Sequence, residues 1–216
     1  MDYLTIQPDW KEALAQAGLT DLDALLAFSD GECLSLHLRG KTLRTTLPGG
    51  QTVFIKQDHF TKWKTILRFL LRFKKPQPNT EIERRRLAIA ARVGITVPQV
   101  IAWGQRRRFG LPQQAVMVML PMNGIPLPEF LNQEKDIEKR KTAITKAEQT
   151  LHFLQENSLD WIRDCKPEHF FVLQDGSIGL IDLERLHLRK NPLSAKIRKT
   201  QFDRFRSLLP PLENME

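Results

Sequence analysis

The chain has 216 residues, 41% of them apolar and 27% charged, enough to bury a sizeable core and too apolar for a disordered tail. The 33 Lys and Arg residues outnumber the 25 Asp and Glu, giving a net charge of +8 and a pI near 9.7, so the surface attracts polyanions such as nucleic acid, anionic lipid headgroups or a phosphorylated glycolipid. No run of about 20 apolar residues is present to span a bilayer, and Cys33 and Cys165 are too few for a disulfide framework or a Cys-x-x-Cys metal site.

At the N-terminus, "MDYLTIQPDW" lacks the basic-then-apolar order of an export signal, so a cytoplasmic protein is expected, free or on a membrane facing the cytoplasm. "KTLRTTLPGGQTVFIKQ" reads as two strands around Pro48-Gly49-Gly50, with Val53 and Ile55 alternating on one face and Lys56 at the far end. From Phe60 to Lys75, "FTKWKTILRFLLRFKK" interleaves Trp63, Ile66, Leu67, Leu70 and Leu71 with Lys62, Lys64, Arg68, Arg72, Lys74 and Lys75, and reads as one basic amphipathic helix. Two readings of it stay open: a helix packed on the N-terminal sheet with a solvated basic face, or an in-plane contact with the inner leaflet.

The next segment, "NTEIERRRLAIAARVG", has a helix start at Asn79 or Thr80, apolar positions at Leu87, Ala90 and Val93, and a stop at Gly94. Glu83 and Leu87 share a helical face. Taken alone, Glu83 would pair with Arg86 or complement the helix N-terminus. "QVIAWG" and "QQAVMVML" follow as strands separated by the basic turn Arg106-Arg107-Arg108, completing a small N-terminal sheet. "PMNGIPLPEFL" then has the Pro and Gly content of a linker. Residues 136–158 carry helical periodicity through Ile144, Ala147, Leu151 and Leu154.

The most informative stretch is "WIRDCKPEHFFVLQDGSIGLIDLERL", Trp161 to Leu186. Asp175-Gly176 predicts a two-residue hairpin turn with positive φ at both centres, which would set His169 directly opposite Asp182. Opposed residues have Cβ atoms roughly 5 Å apart. Asp164 and Lys166, on the loop feeding the first strand, arrive at the same open end. Polar residues at a strand end are ordinarily just solvated. As a group, however, Asp-x-x-x-x-His, a hairpin and Ile-Asp-Leu form the arrangement of a phosphotransferase: one carboxylate orients a hydroxyl and a second pair of groups holds Mg²⁺ on the phosphates. Cys165 lacks the base and orienter that a thiol nucleophile needs.

Here "IRDCKPEHFFV" resembles the kinase catalytic loop and "LIDLERL" the segment that carries D-F-G in protein kinases. With His169 in place of the loop Asn and D-L-E in place of D-F-G, the sequence is similar to the bacterial lipopolysaccharide core kinases of the WaaP/InaA type, which phosphorylate heptose or Kdo sugars. The resemblance implies an α+β, protein-kinase-like two-lobed fold, with a small antiparallel-sheet N-lobe at 1–120 and a reduced, mostly helical C-lobe at 121–216. It implies that Lys56 contacts the nucleotide phosphates and is held by Glu83, with Glu81 as the fallback. Gly94-Ile95 and Pro98 match the end of that helix in the family. The adenine would meet backbone near Leu120 to Met122.

By the same resemblance Asp164 acts on the acceptor hydroxyl, and Lys166 stabilises the transferring group. Asp182 binds Mg²⁺ with His169 assisting and Glu184 as a supplement. Because a histidine is a poor ligand for a hard ion, the alternative has His169 hydrogen-bonding the catalytic loop. Ile162 replaces the loop's first His and no G-x-G-x-x-G covers the phosphates, although "LRGKTLRTTLPGG" matches the family's Arg/Lys-rich alternative. Only 34 residues follow Asp182, too few for a protein-kinase activation segment and peptide-docking helices, which favours a small-molecule or glycan acceptor.

The expected function is therefore ATP-dependent, Mg²⁺-assisted phosphorylation of a sugar hydroxyl of the lipopolysaccharide core or a related glycan. A pseudokinase-like nucleotide-binding module and a basic membrane-associated binding protein are the alternatives. Nucleic acid is the weaker partner, since no zinc-ligand set, RNP-like aromatic strand or helix-turn-helix spacing accompanies the charge.

Overall fold

The computed structural model describes residues 2–162 and 164–210. Its contacts divide the chain into two compact units, one of residues up to 85 together with 98–121, the other of residues 86–97 together with 122 onward.

The first unit contains β1 (Tyr3–Ile6), α1 (Lys11–Gln16), α2 (Leu22–Ala27), β2 (Glu32–His37), β3 (Gly40–Thr46), β4 (Thr52–Asp58), α3 (Trp63–Leu70), the start of α4 (Asn79–Arg92), β5 (Val100–Arg108) and β6 (Leu111–Met119). The strands form one antiparallel sheet in the order β1-β5-β6-β4-β3-β2. Val53 and Ile55 alternate onto one face, as the sequence implies, and pack with Ile101, Val116 and Val118 against Leu14, Leu19, Leu22 and Leu25 of α1, α2 and their connection. Lys56 lies between Ile55 and Gln57 and so points to the other face. Gln57 locks the packed face, its Nε2 donating to the carbonyls of Leu25 at 2.7 Å and Phe28 at 2.9 Å.

Two expectations are corrected in this unit. The residues from Phe60 to Lys75 do not form one helix: α3 covers only Trp63–Leu70. It ends because Phe73 adopts φ +52°, with Phe73 N–H donating to Leu70 O at 2.9 Å and Lys74 N–H to Phe69 O at 3.0 Å, the paired bonds of a Schellman stop. Nor do Arg106-Arg107-Arg108 form a turn. They continue β5, and the reversal is Phe109-Gly110, at φ +49° and +77°, between the paired residues Arg108 and Leu111. Arg107 can stay in the strand although buried, because Gly110 O, Pro76 O and Gln105 Oε1 accept from its guanidinium.

α4 starts at Asn79 and stops ahead of Gly94, whose φ of +92° ends the helix, as the sequence predicts. Its first turn is anchored by a residue outside the helix: the buried Asp58 at the end of β4 accepts from Thr80 N–H at 2.8 Å. Strand end and helix start are thereby joined.

The second unit contains the end of α4, β7 (Gly124–Pro126), α5 (Leu127–Gln133), α6 (Ile137–Glu156), β8 (Leu159–Asp160), β9 (Phe170–Leu173), β10 (Ile178–Leu180), β11 (His187–Leu188) and α7 (Ala195–Ser207). Ala147, Leu151 and Leu154 form the buried face of α6, as their spacing implies. Phe170 stacks against Trp161 and Phe205 with ring centroids 5.4 and 4.8 Å away, joining the hairpin, the loop before it and α7.

Burial holds the Asp58 carboxyl above its ordinary value, against the hydrogen bonds from Thr80 and the charge of Lys56. The folded state thus binds this proton more tightly than the unfolded chain. The associated stability is full below the unfolded value of 3.8 and is lost as pH rises through the folded value. Asp58→Asn keeps an oxygen for Thr80 N–H without the buried charge. It is expected to unfold at higher denaturant than wild type at neutral pH, with the difference vanishing below about pH 4, as midpoints measured across that range would show.

Candidate active site

Within the first unit, Lys56 on β4 forms an ion pair with Glu83 on α4. The glutamate side chain is 4% exposed and that of the lysine 25%, so a buried carboxylate holds an ammonium that still reaches solvent. The Asp58–Thr80 bond sets this meeting, because it fixes the chain two residues beyond Lys56 and three before Glu83. Glu81, the fallback partner, is engaged elsewhere: Arg84 and Arg85 donate to it at 2.7 and 2.6 Å. Burial pushes the Glu81 carboxyl up, and the two guanidinium bonds outweigh it and bring it below the usual carboxylate range. Glu83 instead shares the buried face of α4 with Leu87.

Leu120 follows the end of β6; its N–H donates to Gln99 O at 2.9 Å and its side chain packs against the core beneath α1 and α2. Met122 belongs to the second unit. Its sulfur lies over Gly179, where an added Cβ would stand 2.8 Å from it, and its carbonyl accepts from Gly124 N–H at 3.0 Å.

The second unit builds its polar group from the loop after β8. Asp160, 2% exposed, is the anchor: it accepts from Arg189 at 2.9 and 2.6 Å, from Gln201 Nε2 at 2.7 Å and from Ile162 N–H at 2.8 Å. With Ile162 at φ +49°, the chain reverses and Asp164 N–H donates to Trp161 O at 3.0 Å. The carbonyl of Asp164 in turn accepts from Lys166 N–H at 2.9 Å and lies 2.9 Å from His169 Nδ1. A carbonyl only accepts, so Nδ1 carries a proton, and Nε2 is the ring nitrogen left to face the carboxylates of Asp182 and Glu168. Trp161 packs beside the imidazole at 5.8 Å and fixes its plane.

The hairpin itself is displaced by one residue from the sequence expectation. Ile178 pairs with Val172, Gly179 with Phe171 and Leu180 with Phe170, and Ile181 N–H donates to His169 O at 3.0 Å, so Ile181 rather than Asp182 continues the ladder opposite the histidine. The cause is the turn. Only Gly176 has positive φ, at +73°, and Leu173 N–H donates to Ser177 O at 2.9 Å, which makes a three-residue loop closed by a left-handed glycine. Asp175 favours it by accepting from Ser177 N–H at 2.8 Å and Oγ–H at 2.6 Å. A slip of one residue turns side chains to the opposite face. Asp182 restores the juxtaposition by taking φ +53°, which leaves its Oδ2 3.7 Å from His169 Nε2.

The Asp164 carboxylate is 13% exposed and has Arg185 Nε at 3.6 Å. Lys166 Nζ donates to Glu168 Oε1 at 3.0 Å, and the same carboxylate oxygen stands 3.7 Å from His169 Nε2. Glu184 has its Oε1 3.9 Å from Arg185 Nε. Among the described residues no group of three or more His, Cys, Asp or Glu side chains gathers as a preformed metal cage. Cys165 is inert: its thiol donates to Gln201 O at 3.3 Å and burial pushes its pKa up to about 11.

Residues 38–210 match the profile of the lipopolysaccharide kinase (Kdo/WaaP) family. The chain belongs to that family. As a lipopolysaccharide kinase it is a transferase of lipopolysaccharide biosynthesis that phosphorylates a sugar hydroxyl. A solved structure of WaaP in complex with acyl carrier protein is similar over 94% of this chain and 80% of that one, with a TM-score of 0.67 at 18% identity. That likeness establishes the fold, which is α+β and protein-kinase-like, with the six-stranded antiparallel sheet as its N-terminal element. Among curated proteins none matches the sequence.

Two positioning residues of this kinase escape motif reading. Asp160, immediately before the loop motif, and Asp58, two residues past Lys56, carry no signal beyond being acidic residues next to matched positions. Both are buried and act by fixing backbone.

Proposed function

We propose that this lipopolysaccharide kinase transfers the γ-phosphoryl group of Mg²⁺·ATP to a hydroxyl of a heptose or Kdo residue in the lipopolysaccharide core. The observation that carries the reading is the gathering of Asp164, His169 and Asp182 at one end of the β9–β10 hairpin, with one imidazole touching the loop of the first and facing the carboxylate of the third. Asp164 orients the acceptor hydroxyl and takes its proton as the oxygen forms the new bond to phosphorus. The bond from phosphorus to the bridging oxygen breaks and ADP departs. Phosphoryl transfer asks for positioning and charge neutralisation more than covalent help. Lys56, held by Glu83, supplies positive charge to the phosphates in the first unit. The Leu120–Met122 backbone meets the adenine.

Asp182 would hold the Mg²⁺, which when bound neutralises phosphate charge. The donor set fits that ion: one half-exposed carboxylate suits a cation that keeps several waters and takes further oxygens from phosphates. His169 would be better matched to a water on the ion than to the ion itself, with Glu184 an accessory carboxylate. Lys166 reaches the transferring group by exchanging its partner Glu168.

The acceptor's lipid anchor calls for a surface, and the first unit has one. Among the described residues no helix is long and apolar enough to cross a membrane, but α3 buries only Ile66 and exposes Trp63, Leu67 and Leu70 on one stripe, with Leu71, Phe60 and Phe73 exposed at its flanks. Phe73 occupies the left-handed position usually given to glycine and is fully exposed, so it gains no packing within the chain for that conformation. Lys64, Arg68 and Arg72 follow along the adjoining face, and the sequence has no acidic residue between Asp58 and Glu81. An apolar stripe flanked by cations fits the anionic cytoplasmic leaflet of the inner membrane, each basic residue near such a surface contributing about 1 kcal/mol.

Asp164→Asn is expected to lower kcat for core phosphorylation about 100-fold or more while thermal stabilisation by ATP persists. Asp182→Asn is expected to lose the Mg²⁺-dependent part of that stabilisation. Phosphate transfer at the wild-type rate by Asp164→Asn would contradict the mechanism. For the surface, sedimentation with phosphatidylglycerol–phosphatidylethanolamine vesicles is expected to capture the protein, less so in high salt or with pure phosphatidylcholine, and a Trp63→Ser/Phe73→Ser variant is expected to stay in solution. Equal capture of that variant would exclude α3 as the contact.

A further inference from the structure

Arg185 has no role in the mechanism above, yet it stands beside the reacting group. Its Nε is 3.6 Å from Asp164 Oδ2 and 3.9 Å from Glu184 Oε1, close enough for attraction and beyond hydrogen-bond length, and it makes no hydrogen bond among the described residues. Its side chain is 59% exposed, against 13% for Asp164. The carboxylate is therefore set back, and the guanidinium beside it keeps its N–H donors turned to solvent.

The position is built rather than incidental. Leu183 and Leu186 are both buried, and Leu186 N–H donates to Leu183 O at 2.9 Å, so a short turn is pinned at both ends and Arg185 projects from its corner. The other cation predicted to serve this site, Lys166, donates to Glu168 and is assigned above to the transferring group rather than to the acceptor. A guanidinium fork is suited to bidentate contact with a carboxylate or phosphate and loses less entropy per bond than an ammonium.

We infer that Arg185 is a specificity-determining residue that grips an anionic group on the acceptor sugar, close to the hydroxyl held by Asp164. The inference rests on the assignment of Asp164 to the acceptor hydroxyl. The enzyme then selects an acceptor by charge as well as by shape: a sugar carrying a carboxylate or a phosphate near the reacting oxygen is held in register, and the neutral counterpart is not. In the absence of acceptor, the same guanidinium lies against Asp164.

The test compares wild type, Arg185→Gln and Arg185→Lys with inner-core oligosaccharide as the probe, used intact, carboxyl-reduced and dephosphorylated. Arg185→Gln is expected to raise KM for the intact acceptor about tenfold or more without changing KM for ATP. Arg185→Lys is expected to fall between the two. Whichever of carboxyl reduction or dephosphorylation removes the recognised anion is expected to weaken wild type by a similar factor and to add little to Arg185→Gln. Calorimetric titration of the same three oligosaccharides reads the discrimination without turnover. Should wild type bind the intact acceptor and transfer nothing, the phosphotransfer reading fails while the anion contact is still measured. Equal losses for charged and neutral acceptors, or a loss confined to ATP, would overturn the role given to Arg185.

Discussion

The left-handed backbone at Asp182 is the constraint on which its meeting with His169 depends. The hairpin ladder places Ile181 opposite His169, and regular alternation would then carry the next side chain to the opposite face. A non-glycine residue at φ +53° costs roughly 1–2 kcal/mol. It is held there from both sides, by the Ile181 N–H bond to His169 O before it and by the fully buried Leu183 after it. Strain retained at a residue whose side chain then faces His169 Nε2 agrees with the metal-holding role proposed for Asp182.

Orientation is propagated inward from there by groups that never reach a substrate. Asp160 fixes Ile162, Arg189 and Gln201, so that the loop, the residue following β11 and α7 share one buried carboxylate. The Asp164 carbonyl holds Nδ1 of His169, and Trp161 sets the plane of its ring. The first unit repeats the logic on its own: Gln57 locks one face of β4 to α2, Asp58 locks its end to α4, and Lys56, with no further choice of direction, meets Glu83. In each unit a supporting hydrogen bond to backbone determines which way a side chain of the candidate site points.

These supports explain which features were legible in the sequence. Val53, Ile55, Leu87, Ala90 and Leu151 are read by period alone, since burial depends only on which face they occupy. Lys56, Glu83, Asp164 and Asp182 came from motif resemblance, and helical spacing could not separate Glu83 from Glu81; the arginines at 84 and 85 did so in the fold. The Asp-Gly dipeptide serves both a two-residue turn and a three-residue loop. The choice between them rests on the Asp175–Ser177 contact, so the register differs by one from that implied by the dipeptide, although His169 and Asp182 still meet. The amphipathic period past Leu70 gave no warning of the left-handed Phe73, because a side chain that exposes itself contributes nothing to a pattern of burial.

The measurement that bears most directly on this account is the long-range ¹⁵N–¹H spectrum of the His169 ring, recorded without nucleotide and again with ATP and paramagnetic Mn²⁺ in place of Mg²⁺. A ring protonated at Nδ1 is expected in the free protein, with its signals broadened by Mn²⁺–ATP in wild type and spared in Asp182→Asn. An Nδ1 without its proton, or broadening indifferent to the loss of the Asp182 carboxylate, would contradict the account.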